Sequence, residues 1–315
     1  MILGKQTKYL IEASREDSEN QDVSESIGIS DSAFIRHLND AQDRIFALII
    51  NKYPSIFTKN IEIPLARGQK EVPLPHDTYI GNKITDVKYL ETNTPNWYGR
   101  VLPSNIKRDV GTYVGIPREY YRDSGKLYLL PPCDSSSGAL RLNYVYRIPR
   151  LDLQRAVVSS VVLDNNTKQI TSLFFDVTNS EIDLDTLERN NRFTVVNDDG
   201  LVQMSSIKYT NINTSTGEVT IAPGFTFTEG QTINVGDAVC AGPLSSTHSY
   251  LDEYVERYLV AYCTMKILQR EGSAEQPTQS GVLQAMEAEI VDSYSDVTDD
   301  ITEIPEIISP DESWN

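Results

Sequence analysis

The sequence is poor in the residues that build metal centres and disulfide frameworks. Its 315 residues contain three cysteines and three histidines. The cysteines, Cys133, Cys240 and Cys263, are odd in number and far apart, which excludes a disulfide framework and a clustered zinc motif. We therefore expect no metal ion, no cofactor and a reducing compartment.

Long apolar runs are also missing. A membrane-spanning helix needs roughly 20 apolar residues, whereas a run such as Phe46–Ile50 covers five. The first residues, MILGKQTKYLIEASRE, lack the continuous apolar stretch of a signal peptide. We expect no membrane partner.

Cations are scarce relative to anions. Lys plus Arg number 28 and Asp plus Glu number 45, a net charge of −17, which argues against a broad basic surface that grips nucleic acid. Residues 271–315 hold twelve acids and no Lys or Arg, and residues 1–30 hold six acids against three bases, so 27 acids and 25 bases remain in residues 31–270. The acidic ends are either solvated tails or segments that dock on a partner.

A helix is predicted from residue 31. Ser30 or Asp31 can cap its first N–H groups, and Pro54 prevents its continuation. Its apolar residues recur at spacings of four and three, which places them on one face: Phe34, Leu38, Ala41, Ile45 and Leu48.

Residues 58–150 favour a small, mostly antiparallel sheet. Alternating residues from Ile61 to Leu74, around a turn at residues 67–69, predict one hairpin. A second hairpin is predicted from Leu127 to Tyr146, around residues 133–138. Gly125 is expected in a turn.

Residues 151–245 predict a separate β domain, a sandwich or a barrel. Short strands are expected at residues 192–197, 201–209, 218–221 and 231–235, with turns at residues 198–200 and 215–217. We interpret this domain as inserted, because the helical pattern resumes afterwards.

Two helices and a tail complete the chain. The first predicted helix carries Leu251, Tyr254, Val255, Tyr258, Leu259, Tyr262 and Met265 on one face and stops at Gly272. Tyr254, Tyr258 and Tyr262 form either a packed face or an interface between subunits. A short helix follows from Pro277, with Leu283, Met286 and Ile290. The tail, residues 295–315, carries apolar residues suited to docking on a partner: Ile301, Ile304, Ile307, Ile308 and Trp314.

These patterns predict an α+β protein: a helical bundle, with long N-terminal and C-terminal helices, packed on a small sheet. The predicted parts are an N-terminal extension (1–30), a core (31–150 plus 246–294), an inserted β domain (151–245) and an acidic C-terminal tail (295–315).

No catalytic motif is found. The sequence has no phosphate-binding loop, H-E-x-x-H, C-x-x-C or G-x-S-x-G. His37, His76 and His248 have surface or capping positions. Asp183 with Asp185, or Asp198 with Asp199, could form an acid pair, but such pairs in turn-rich modules favour turns. We expect assembly and no catalysis.

Several weak motifs occur in a particular order. After the capped helix come a G-x-P-x-x-Y segment, a strand that ends at two prolines, an L-x-L-x-Y strand that ends in proline, and a late helix. This order resembles that of the head-to-tail adaptor, or connector, proteins of tailed bacteriophages, over residues 31–150 and 246–294. The matching positions are Gly115, Pro117, Tyr120, Pro131, Pro132, Leu140, Leu142, Tyr144 and Pro149.

The resemblance implies a ring, expected to be dodecameric, in the neck of the virion. Such a ring lies below the portal protein, extends the DNA channel and is the platform for tail, nozzle or fibre proteins. It implies synthesis in the cytoplasm of a bacterial host. DNA would pass through without specific binding, since an acidic protein repels phosphate. We expect the tail to dock on the portal or on a neighbouring copy.

Two other functions stay open. One is a neck or tail protein whose β domain binds a receptor or carbohydrate, for which Phe174, Phe175, Phe193, Phe225 and Phe227 would have to be exposed. The other is a virion-associated hydrolase that uses Asp183 and Asp185.

Overall fold

The structure of the chain is a computed structural model. It describes residues 4–19, 29–75, 77–79, 83–90, 98–105, 113–134, 138–163, 170–178, 183–222, 233–271 and 276–295. His76, Phe225, Phe227, Gly272 and residues 296–315 lie outside these ranges.

The protein is a mixed α+β protein. The described residues form five helices: α1 (Thr7–Glu19), α2 (Asp31–Lys52), α3 (Leu184–Asn190), α4 (Glu253–Glu271) and α5 (Gln276–Ser293). A short 3₁₀ helix covers Pro54–Phe57. The strands are β1 (Thr58–Pro64), β2 (Glu71–Pro73), β3 (Ile84–Leu90), β4 (Tyr98–Arg100), β5 (Leu102–Pro103), β6 (Glu119–Asp123), β7 (Lys126–Leu130), β8 (Ala139–Val145), β9 (Arg150–Leu151), β10 (Ala156–Leu163), β11 (Ile170–Phe175), β12 (Arg192–Val196), β13 (Val202–Asn213), β14 (Glu218–Ile221), β15 (Ala238–Ala241) and β16 (Ser245–Ser246).

The chain divides into two compact units. The first consists of Met1–Phe46 and Ile148–Ile290, and the second of Ala47–Arg147 and Val291–Asn315. The first unit holds α1, most of α2, the barrel described below, and most of the late helices.

The second unit contains two four-stranded sheets. Their strand orders are β1-β8-β3-β4 and β2-β7-β6-β5. In the second sheet β6 and β7 form a tight antiparallel hairpin, and its turn has positive φ at Ser124 and Gly125. The turn predicted at Gly125 is confirmed.

Both hairpins predicted in this region are wrong. Strand β1 pairs with β8, not with β2, and β2 pairs with β7. Likewise β7 and β8 belong to different sheets. Alternation shows which residues share a face of a strand, but it does not identify the partner strand. The intervening turn does form: the Gln69 N–H donates to Ala66 O at 3.0 Å, and Gly68 has a φ of +79°.

The first unit contains a closed barrel of six antiparallel strands, in the order β10-β11-β14-β13-β12-β15. Its interior is filled by apolar side chains that alternate along the strands, as a small barrel requires. This core consists of Ala156, Val158, Ile170, Leu173, Phe175, Leu187, Phe193, Val195, Met204, Ile207, Tyr209, Ile212, Val219, Ile221 and Val239.

All six barrel strands lie within the predicted β domain. The prediction for residues 218–221 matches β14, and those for 192–197 and 201–209 overlap β12 and β13. The turns at residues 198–200 and 215–217 are confirmed, with φ of +81° at Gly200 and +72° at Gly217. The strand predicted at 231–235 is wrong over 233–235, since β15 begins at Ala238. Helix α3 was not predicted.

Helix α2 has the predicted apolar face along most of its length. Phe34, Leu38, Ala41 and Ile45 are buried, whereas Leu48 is 37% exposed and Ile49 is buried in its place. Helix α1, which the sequence did not predict, precedes α2 within residues 1–30. Among the described residues, no helix combines the length and apolarity needed to cross a membrane.

Candidate assembly surfaces

The tyrosine face of α4 is mostly buried. Tyr258 is fully buried and Tyr262 is 9% exposed, with their ring centroids 6.0 Å apart, while Tyr254 is 42% exposed. The prediction of a packed face therefore holds for Tyr258 and Tyr262. Tyr254 lies at its edge.

Three helices meet at one carboxylate. The Tyr258 hydroxyl of α4 donates to Glu287 Oε1 of α5 at 2.7 Å, and Arg44 Nε of α2 lies 2.7 Å from the same oxygen. Burial and the neighbouring Glu287 raise the pKa of Tyr258. The hydroxyl therefore stays protonated and remains a donor.

Helix α1 packs along α4. Leu10, Ile11, Ser14 and Ser18 are buried. The preceding segment is bonded to the chain before α4: Gly4 N–H donates to Ser249 O at 3.0 Å, and Thr7 N–H donates to Thr247 O at 2.8 Å. The N-terminal residues from Gly4 are thus an integral part of the first unit.

A buried carboxylate lies beneath this N-terminal segment. Glu256 is 2% exposed and accepts the Lys5 N–H on Oε1, while Oε2 is buried with no partner among the described residues. Burial raises the pKa of Glu256. The group borders a cleft of about 600 Å³ between α1 and α4.

The chain enters and leaves the barrel side by side. Strands β9 and β16 pair in parallel at these two crossings. Helix α2 is bonded to β9 through buried Asn39, which donates to Leu151 O and accepts from Leu151 N, both at 2.9 Å. Gln42 of the same helix donates to Pro149 O at 2.9 Å.

Asp183 has a structural environment. It caps α3 by accepting the Thr186 N–H at 3.0 Å and lies 2.8 Å from Arg155, which also pairs with buried Asp152. Burial alone would raise the pKa of Asp183, but the hydrogen bonds from Thr186 and the charge of Arg155 outweigh it, so the pKa is lowered. Asp185 is exposed in the first turn of α3.

Asp198 and Asp199 lie exposed in the turn between β12 and β13. Within the described part of the chain, no three His, Cys, Asp or Glu side chains are grouped so that they could hold a metal ion. Cys133, Cys240 and Cys263 are buried, and none of them forms a disulfide bond in the described part of the chain.

The motif positions from Gly115 to Pro132 come together in the second unit. Gly115 bridges to Cys133 beside β6 and β7, and its N–H donates to Pro132 O at 2.9 Å. A Cβ at Gly115 would lie 3.0 Å from the Pro131 ring, so a side chain there would require the ring to shift by a few tenths of an ångström. Pro117 and Tyr120 are buried nearby along the chain, in and before β6.

The motif positions on β8 and after it lie elsewhere. Tyr144 is on β8 of the first sheet, where its hydroxyl donates to Asp77 at 2.8 Å; burial and Asp77 raise its pKa. Pro149 belongs to the first unit, where its carbonyl accepts from Gln42. The sequence motif therefore does not correspond to one continuous site.

The barrel aromatics are mainly internal. Phe175 and Phe193 are buried in edge-to-face contact, with ring centroids 5.7 Å apart, while Phe174 is half-buried. His248 is half-buried and lies against Gly200, where the positive φ and the imidazole leave no room for a side chain. Burial lowers the pKa of His248.

The predicted docking residues of the tail, Ile301, Ile304, Ile307, Ile308 and Trp314, lie outside the described residues. Comparison with known proteins adds no assignment: no protein-family model matches the chain, and no curated protein is significantly similar to it.

Proposed function

We propose that the protein is a structural protein of the neck of a tailed-phage virion, a head-to-tail adaptor that assembles as a dodecameric ring below the portal. The ring extends the DNA channel and offers a platform for tail, nozzle or fibre proteins. DNA passes through it without specific binding. The helices and sheets form the ring, and the barrel is an inserted module.

The attachment of the barrel carries this proposal. Its two crossings lie together, because β9 pairs with β16, and Asn39 of α2 bonds to Leu151 of β9. A domain attached in this way can be added to an assembly core without interrupting its helices. Such a module suits a platform that meets different tail or fibre proteins.

The environments of Asp183 and Asp185 favour a structural role of these acids over a role in hydrolysis. Asp183 is engaged by Thr186 and Arg155, and Asp185 lies in the first turn of α3. The α3 cap and the buried ion pairs explain why an acid stands at Asp183. We propose no catalytic role for either residue.

Reconstitution with the portal protein of the same genome tests the proposal. Electron micrographs of the mixture should show a ring on one face of the portal, and a variant that lacks the tail, residues 295–315, should bind with lower occupancy. Cross-links from the barrel should reach nozzle or fibre proteins. A portal that stays bare at saturating protein would contradict the proposal, and barrel cross-links confined to the channel interior would contradict the role of the barrel.

A further inference from the structure

A cationic patch stands out on the first unit of this acidic protein. Arg36 and His37 lie on α2, and Lys266 and Arg270 lie one turn apart on α4. The pKa of His37 is lowered by burial first and then by the positive charges of Arg36, Lys266 and Arg270. Helix α4 packs against α2 at this point, because Cys263 Sγ lies 3.9 Å from Phe34 O. Arg36 and His37 follow Phe34 within one turn of α2, and Lys266 and Arg270 follow Cys263 by about one and two turns of α4. The four side chains therefore share one region beside this contact.

The three permanent cations of this patch outnumber its one described carboxylate, Asp40. Arg36, Lys266 and Arg270 form no ion pair within the described part of the chain, although Arg44 and Arg150 on or near the same helix do. Asp40 is the one acid that acts on His37. Nδ1 of His37 is buried without a hydrogen-bond partner among the described residues.

The chain contains a segment of matching charge. The tail, residues 295–315, holds seven acids and no Lys or Arg, together with four isoleucines and a tryptophan. An excess of cations at one surface and of anions in one segment is the complementarity that selects partners and orients them.

Helix α5 leads away from the patch. Tyr254 and Tyr258 of α4 bond to Glu289 and Glu287 of α5, so α5 runs back along α4, away from Arg270. Helix α5 has 18 residues, a length of about 27 Å. A ring closes through one contact between two different surfaces of each copy, and a patch and a tail at opposite ends of a helix pair are two such surfaces.

We propose that the acidic tail of one copy docks on the cationic patch of Arg36, His37, Lys266 and Arg270 on the neighbouring copy. The inference rests on the proposed ring and names the contact that joins its subunits. Carboxylates of the tail replace the missing counter-charges of the patch.

Carbodiimide cross-linking of the full-length protein tests this contact, because it joins a carboxylate to an amine without a spacer. Isotopically heavy and light copies are mixed before assembly. We expect links from Lys266 to tail acids such as Asp300 or Glu303 that join heavy to light copies. Links only within copies of one label, or tail links that avoid Lys266, would overturn the proposal.

Charge reversal supplies the matched comparison. In R36E/R270E both altered residues are exposed, and we expect the Lys266 link to fall about tenfold or more. The control R67E/K208E changes the net charge equally at exposed positions outside the patch and should leave the link unchanged. Lys266→Arg should remove the link and preserve the ring. An unchanged link in R36E/R270E would contradict the proposal.

Two further readouts separate the alternatives. Masses of the assemblies report the ring independently: a ring without the Lys266 link overturns the docking contact alone, whereas no ring with or without portal overturns the proposed function. Labelled duplex DNA at physiological salt tests the other polyanion. DNA binding that R36E/R270E abolishes would reassign the patch to nucleic acid.

Discussion

Tyr258 and Glu287 connect α4 to α5 through a 2.7 Å hydrogen bond, and Arg44 of α2 lies on the same carboxylate. Tyr258 is fully buried, and the Glu287 side chain is 13% exposed. A buried donor and acceptor that satisfy each other fix the relative positions of three helices, because breaking the bond leaves a polar group without water.

Tyr258→Phe should therefore destabilise the protein. Loss of the hydroxyl removes one bond to a charged, largely buried acceptor, and we expect the free energy of unfolding to fall by about 2 kcal/mol. Tyr254→Phe is the control, since Tyr254 makes the equivalent bond to Glu289 from an exposed position. Urea denaturation measures both; equal losses would contradict this account.

Asn39→Ala should lower the free energy of unfolding more than the substitution of an ordinary polar residue of α2 would. Both backbone groups of Leu151 would lose their partner in a buried environment, a cost of about 3 kcal/mol. Asp43 lies on the same helix and forms an exposed ion pair with Arg150 of β9. Asp43→Ala removes this pair and should change the free energy of unfolding by less than about 0.5 kcal/mol. Similar melting points for the two variants would show that Asn39 does not hold the barrel crossings.

The sequence predicted helices more successfully than partners. Phe34, Leu38 and Ala41 repeat at helical spacing, and α2 forms with them inside. Asn39 is polar and was not among the residues predicted for that face. It is buried because it hydrogen-bonds to Leu151, which lies 112 residues away in the sequence. Local periodicity carries no information about contacts between residues so far apart.

Helix α1 escaped prediction for a related reason. Its buried face includes Ser14 and Ser18, which are 0% and 3% exposed, so its apolar pattern is weak. Small side chains allow two helices to approach closely, and the Ser14 hydroxyl donates to Leu10 O at 2.8 Å within the helix. The packed surface of α1 was therefore not recognised, because part of it consists of polar residues.

The cationic patch was not predicted either, because its members are divided between residues 36–37 and 266–270.

Asp183 should prove to be a cap and not a catalyst. Asp183→Ala removes the cap of α3 and should cost about 1 kcal/mol, whereas Asp183→Asn retains the acceptor and should cost less. Because the pKa of Asp183 is lowered in the folded state, the stability from its charge is present above the unfolded pKa of about 4 and is lost as pH falls through the folded-state value. Denaturation of the parent and both variants at pH 7 and pH 3 measures how much of this stability is lost at low pH.

The adaptor function and the hydrolase alternative predict different results for Asp183 and Asp185. We expect the following on the adaptor function. Asp185→Ala should leave stability within about 0.5 kcal/mol of the parent, and no hydrolase activity should depend on either acid. Loss of a wall-degrading activity in Asp185→Ala at unchanged stability would favour the hydrolase.

Glu256→Gln should stabilise the protein at high pH. Burial raises the pKa of Glu256 in the folded state, so the stability linked to its protonation is complete below the unfolded pKa of about 4.3 and is lost as pH rises through the folded-state pKa. Glutamine mimics the protonated acid. The variant should exceed the parent in stability at pH 8, with a difference that narrows towards pH 4.

Glu253→Gln provides the comparison for this pH series, because the Glu253 side chain is 80% exposed on the same helix. Denaturation midpoints at pH 4, 6 and 8 for the parent and both variants decide the matter. A difference between Glu256→Gln and the parent that is constant with pH would show that burial of the carboxylate is not its origin.

Native mass spectrometry of the full-length protein, alone and mixed with the portal of the same genome, tests the central claim most directly. The account predicts a dodecameric ring whose copy number is set or completed by the portal, and a loss of that ring in R36E/R270E. A monomer or small oligomer with the same mass in the presence and absence of portal would contradict the adaptor function and make the barrel the first candidate for a binding role.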